Sequence, residues 1–236
     1  MIKELKKDLQ KYASKEKAKI FQRFFKTGKG EYGEGDIFIG LTVPESRSIA
    51  KKYSEIEFFE LQELLQSKIH EERLVALLIL VDKYKHSKDL KAKKQIYDFY
   101  IKNTAYINNW DLVDLSASRI SGQYILDSND SNARKQLYIF AKSKNLWERR
   151  IAIISTFQFI YYNTFDDTLK ISEILLTDKH DLIHKAVGWM LRELGKRNQS
   201  LEEEFLKKYY KTMPRTMLRY SIEKFDEKKR KFYMEK

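Results

Sequence analysis

Cysteine is absent from the 236-residue chain. That excludes disulfides, thiolate nucleophiles and cysteine-ligated zinc. Only two prolines and eight glycines punctuate the sequence, and so few breakers point to long helices joined by short turns. No apolar run approaches the roughly 20 residues that a membrane-spanning helix needs. The stretch Met1-Ile2-Lys3-Glu4-Leu5-Lys6-Lys7 reads as the start of an amphipathic helix, without the apolar core of a signal peptide. A cytoplasmic location is the resulting expectation. No segment alternates in the way a half-buried strand demands.

What is present is apolar mass and positive charge. Hydrophobic residues make up 42% of the chain, enough for a substantial core, and 46 Lys and Arg against 34 Asp and Glu give a formal charge of +12. Such a surplus favours polyanionic partners, nucleic acid ahead of an anionic membrane surface.

Apolar spacing of helical period runs along nearly the whole sequence. It predicts one or two helices over 2–26, a Gly-rich loop over 27–43, and a helix opened by Val43-Pro44-Glu45-Ser46, with proline where its missing N–H costs nothing. Further helices are predicted at 57–67, 70–85, 89–102, 110–127, 131–142, 146–162, 166–177, 181–197, 200–211 and 214–234. No linker divides the chain, so a single domain over 1–236 is expected. Ala76, Ala117, Ala152 and Ala186 recur at intervals of 41, 35 and 34 residues. Helical-pair repeats recur at roughly 40 residues, and a small residue in each lets paired helices approach. The expected fold is therefore all-α, a HEAT-like repeat solenoid whose concave face would be basic; a plain helical bundle is the alternative.

Three stretches could carry chemistry. In Asn108-Asn109-Trp110-Asp111-Leu112-Val113-Asp114, Trp110 and Asp114 lie one turn apart and share a helix face. The plain alternative puts Trp110 in the core and uses the aspartates to serve the helix N-terminus, a role that suits Asp111 better than Asp114. In Trp147-Glu148-Arg149-Arg150, two arginines near a helix start oppose the helix dipole, which is tolerable if they face a phosphate or a carboxylate; the plain alternative is a solvated charged turn. In Lys185-Ala186-Val187-Gly188-Trp189-Met190-Leu191-Arg192, an aromatic stands between cations on adjacent turns, an arrangement suited to sugar or base contact with phosphate neutralisation. Gly188 inside a helix costs about 1 kcal/mol relative to alanine, so a close approach is expected there. The alternative for this stretch is a core tryptophan with snorkelling cations.

Two literal motif matches are set aside. Gly28-Lys29-Gly30-Glu31-Tyr32-Gly33 fits GxGxxG, but a helix precedes it and no βαβ unit follows. His180-Asp181-Leu182-Ile183-His184 resembles HExxH, but its shorter Asp reaches poorly as a base and His180 falls before the helix. Neither a metal nor another cofactor is expected.

Taken in order, Phe38-Ile39-Gly40-Leu41-Thr42-Val43-Pro44-Glu45-Ser46-Arg47, Trp110-Asp111-Leu112-Val113-Asp114, Trp147-Glu148-Arg149-Arg150-Ile151-Ala152 and Lys185 through Glu193 resemble the AlkD family of alkylpurine DNA glycosylases. The resemblance covers nearly the whole chain. It implies excision of positively charged N3- and N7-alkylated purines from double-stranded DNA without drawing the base into a pocket, unlike base-flipping glycosylases. By the same match Asp114 is the catalytic carboxylate, Trp110 and Trp189 flank the lesion nucleotide, and Arg150 holds the backbone. Arg149, Lys185 and Arg192 are further candidates for backbone contact. Phe24 falls on the family's DNA-facing surface where some members carry tyrosine. A monomer suffices for such a cradle. Two other readings keep the basic face: a non-catalytic protein for bent or branched DNA, and a scaffold for an acidic partner protein.

Overall fold

The computed structural model describes residues 1–235 and is helical throughout, with no strand among those residues beyond one isolated bridge between Ile37 and Ile69. The chain divides into two compact units, Met1–Ser116 and Ala117–Lys236.

The first unit holds α1 (Ile2–Lys11), α2 (Lys15–Phe24), α3 (Val43–Lys52), α4 (Phe58–Leu65), α5 (His70–His86), α6 (Leu90–Lys102), a 3-10 turn at Thr104–Tyr106 and the start of α7 (Trp110–Ala117). Its centre is α5, which packs on α3 and α4. Residues Leu74 to Leu80 are all buried, so the middle of this helix is apolar all round, the signature of an interior element. Each such leucine or isoleucine contributes about 1.5–3 kcal/mol on burial. Pro44 sits in the first turn of α3, and the Glu45 carboxylate accepts both the Thr42 backbone N–H and hydroxyl at 2.7 Å. By contrast α2 buries none of its ten residues. It is held at its start, where Ser14 N–H donates to the Ile39 carbonyl at 2.8 Å. Gly40 makes that approach possible: its φ is +91°, and a Cβ there would stand 2.2 Å from the Ser14 carbonyl oxygen.

The second unit holds a π-helical turn (Ser118–Gly122), α8 (Gln123–Ser128), α9 (Ser131–Ala141), α10 (Leu146–Tyr161), α11 (Asp166–Leu175), α12 (Asp181–Gly195), α13 (Gln199–Tyr209), α14 (Arg215–Ser221), a 3-10 turn (Ile222–Lys224) and α15 (Glu227–Met234). The π turn, α10, α12 and α14 pack in sequence, each on the next, while α9, α11 and α13 flank them. Ala152 and Ala186 are completely buried within this row, as Ala117 is at its start; in the first unit Ala76 is equally buried in α5. This is an α-helical repeat arrangement.

Two predicted helices differ from those observed. The segment 110–127 is not one regular helix. It widens into the π turn over Ser118–Gly122, where a Cβ on Gly122 would lie 2.2 Å from the Ser155 carbonyl oxygen of α10. Neighbouring helices set that widening, and periodicity does not reveal it. The segment 214–234 breaks, because Phe225 is extended and Asp226 starts a new helix by accepting the Lys229 N–H at 2.9 Å.

Candidate nucleic-acid interface

The residues singled out on α7 stand at the edge of a buried charged network in the first unit. Asn109 precedes the helix and is fully buried; its side-chain oxygen accepts the Trp110 N–H at 2.8 Å, and its amide donates to Asp36 Oδ2 at 3.3 Å. Asp111, in the first turn, places Oδ2 at 2.8 Å from His70 Nε2. The other ring nitrogen, His70 Nδ1, lies 3.1 Å from Asp36 Oδ2. Arg73 donates to Asp36 Oδ1 at 2.6 Å and to the Ser67 carbonyl at 2.9 Å. Thus Asp36, from the Gly-rich loop, and Asp111, from α7, bracket one imidazole from α5.

The electrostatics follow from that bracketing. Burial alone would push the His70 imidazolium down, but the charge and hydrogen bond of Asp111, joined by Asp36, raise it to about 9. Burial would raise Asp36, but the His70 hydrogen bond and the charges of Arg73 and His70 hold its carboxyl below the usual range. The network is therefore two carboxylates with two cations at neutral pH, paired as buried charges must be.

Aromatic rings cover it. His70 stacks on Phe38 with centroids 4.4 Å apart, Phe38 on Phe25 at 4.9 Å, and Phe25 on Trp110 at 5.2 Å with an interplanar angle of 16°. Phe24 meets the Trp110 ring edge-on at 6.0 Å and is 62% exposed. Trp110 and Asp114 are both half-buried. Asp114 lies near enough to Tyr100 for its charge to add to burial in raising that hydroxyl. The fold thus brings Phe24, Trp110 and Asp114 together in the first unit.

In the second unit Arg150 is 5% exposed and donates to the Leu182 carbonyl of α12 at 2.5 Å. Arg149 faces a carboxylate, as its place near a helix start requires: its Nε donates to Asp178 at 2.6 Å, and the guanidinium also reaches the Ser143 and Lys144 carbonyls. Lys185 pairs with Asp181 at 2.6 Å. Trp189 is half-buried, 6.0 Å from Phe157 between ring centroids. Arg192 pairs with Glu223. Gly188 makes the expected close approach, since a Cβ there would stand 2.5 Å from the Met217 carbonyl oxygen of α14.

The motif matches set aside are occupied otherwise. Glu31 and Glu34 accept the Gly28 and Gly30 N–H groups at 2.8 and 2.7 Å, so carboxylates fill the loop that a phosphate would need. His180 caps α12 by accepting the Leu182 N–H at 3.1 Å, and a ring nitrogen of His184 lies 2.5 Å from the Asp178 carbonyl oxygen.

Sequence reasoning missed Asp36, His70, Arg73, Asn109 and Phe25. Asp36 and Asn109 are separated by 73 positions, and no local spacing encodes such a pair. The one signal at hand was Asn109 itself, a side chain of capping type immediately before Trp110.

Comparison with known proteins bears on this arrangement. No curated protein matches the chain. A solved structure described as a predicted DNA alkylation repair enzyme from Enterococcus faecalis shares the fold with a TM-score of 0.70 at 18% identity, covering 91% of this chain and 97% of that one. The family model for DNA alkylation repair enzymes matches residues 5–225, and the chain belongs to that family.

Proposed function

We propose that the chain is a DNA glycosylase that hydrolyses the N-glycosidic bond of cationic N3- and N7-alkylated purines in double-stranded DNA, without base flipping. Membership of the DNA alkylation repair family supports DNA as the substrate. The observation that carries the finer reading is Asp114, a half-buried carboxylate one turn along α7 from Trp110, whose ring is braced by Phe25.

The chemistry suits that pair. An alkyl group at N3 or N7 makes the purine cationic and a good leaving group, so no general acid is required. As the C1′–N bond breaks, its electron pair leaves with the base, which becomes neutral, and the deoxyribose acquires oxocarbenium character. A fixed carboxylate stabilises that cation and orients the water that attacks C1′, accepting its proton. Aromatic faces from Trp110 and Trp189 add cation–π stabilisation. Arg150, buried and bonded to the Leu182 carbonyl, meets phosphate only through what remains of its exposed edge, and Lys185 is a further backbone contact. Arg149 and Arg192 reach the backbone by exchanging their present carboxylate partners, and exposed Phe24 packs against the duplex. In this reading the protein works as a monomer on the chromosome in the cytoplasm.

The test is release of free base from a duplex carrying one N7-methylguanine. Release at neutral pH without added metal is expected. Intact DNA binding with no release would instead support a non-catalytic protein for bent or branched DNA.

A further inference from the structure

We propose that His70 is a positioning residue: as a doubly hydrogen-bonded imidazolium it holds the first turn of α7, and with it Trp110 and Asp114, against the Gly-rich loop. Its place in the helix makes this unusual. His70 is the first residue of a 17-residue helix, where the macrodipole disfavours a cation. It is also 1% exposed. Only strong local compensation keeps a charge there, and the compensation comes from two other elements, Asp36 of the loop and Asp111 of α7. The remaining charged group facing the ring is Arg73 of its own helix, which is itself bound to Asp36. Phe38 and Phe25 cover the ring faces and do not titrate.

The geometry fixes what happens when the proton leaves. A neutral imidazole has one N–H and can serve only one of the two carboxylates; the other then meets a lone pair. The two ends are not equal. Asp36 keeps Arg73 on Oδ1 and Asn109 on Oδ2. The Asp111 Oδ1 atom is buried without a hydrogen-bond partner, and its Oδ2 is the atom that His70 holds. Deprotonation therefore leaves the remaining N–H on Nε2 with Asp111, which has no other donor, and breaks the bond from Nδ1 to Asp36, where Arg73 Nη2 stands 3.5 Å from the bared nitrogen. The tie between the first turn of α7 and the loop loosens, and Trp110 moves on its Phe25 platform. The Gly-rich loop acquires a role as the fixed end of this bracket, and His70 becomes the link that turns its rigidity into placement of the α7 face.

The experiment uses the full chain and has two spectroscopic arms and one kinetic arm. Side-chain 15N NMR follows His70 from pH 6 to 10.5 in the wild type and in Asp111→Asn. 19F NMR of protein labelled with 5-fluorotryptophan follows Trp110, assigned by Trp110→Phe. The expected result is both His70 nitrogens protonated at pH 7.5, loss of a proton near pH 9, and a Trp110 signal that shifts with the same midpoint while Trp147 and Trp189 do not follow it. Asp111→Asn removes the charge that most raises His70, so the midpoint falls by about one pH unit or more. A singly protonated His70 at pH 7.5, or a Trp110 signal indifferent to its titration, overturns the proposal. The wild-type titration decides this even if the variant does not fold.

The kinetic consequence rests on the glycosylase reading. Single-turnover base release should fall above pH 9 in the wild type and at correspondingly lower pH in Asp111→Asn, with DNA affinity less affected than rate. A wild type that releases no base at any pH contradicts the glycosylase reading, while the two spectroscopic arms still decide the positioning role.

Discussion

Glu202 on α13 offers a perturbation whose size can be worked from the structure. It is 1% exposed and its Oε1 has no hydrogen-bond partner. Its other carboxyl oxygen is wedged where a Cβ on Gly195 of α12 would stand, 1.7 Å away. Burial pushes this carboxyl up to about 8 from an ordinary 4.5, and the neighbouring Glu203 charge adds to the effect. At neutral pH the folded protein therefore holds a proton that the unfolded chain has released. Stability falls as pH rises from about 4.5 to about 8 and levels off above that. About 3.5 pH units at about 1.4 kcal/mol each cap the loss at about 5 kcal/mol, and local relaxation around the ionised group makes the real loss smaller. Glu202→Gln keeps the shape of the neutral acid and cannot ionise. Urea unfolding at pH 5, 6.5 and 8 should find the two proteins within about 1 kcal/mol at pH 5 and the variant ahead by several kcal/mol at pH 8. Every other titrating group is shared, so parallel pH profiles for the two proteins would mean that Glu202 is not held neutral in the folded state.

Three further outcomes follow from other contacts. Gly188→Ala would gain about 1 kcal/mol of helix propensity at an open site; here its Cβ meets the Met217 carbonyl oxygen and Tyr220 Cβ at 2.5 Å, so denaturant midpoints should show a net loss of about 1–3 kcal/mol. The Glu71 carboxylate accepts the backbone N–H groups of Ile39, Gly40 and Leu41; Glu71→Gln should cost about 2–3 kcal/mol and speed amide exchange in that loop, with unchanged protection there as the contrary result. Lys185→Ala should lower the slope of log affinity for DNA against log salt by about 1 if Lys185 neutralises one phosphate, and leave it unaltered if Lys185 serves only Asp181.

Much of the fold was legible because helices carry their own period. The starts of α3, α5, α7 and α12 fall where the sequence places them, that of α3 marked by Pro44. The π turn at Ser118–Gly122 was not legible, since its cause is the approach of α10 to Gly122. The break before α15 had a local signal in Asp226, a capping residue that the surrounding basic helical pattern concealed. In the candidate site, Trp110 and Asp114 could be singled out because one turn of helix joins them. The support beneath them could not, because Asp36, His70 and Asp111 come from three elements and meet only when the first unit packs. Arg149 shows the intermediate case: its unfavourable place at a helix start announces a partner, but Asp178, 29 residues on, is named only by the fold.

If Asp114 acts on the glycosidic bond, its carboxylate charge must matter to base release and not to DNA binding. Wild type and Asp114→Asn are each mixed in excess with a duplex containing one N7-methylguanine, and released base and DNA affinity are measured on the same samples. The wild type should release base, the variant should do so about 100-fold or more slowly, as for loss of an electrostatic transition-state contact, and the two should bind DNA with similar affinity. Equal release by the two proteins would contradict that role for Asp114.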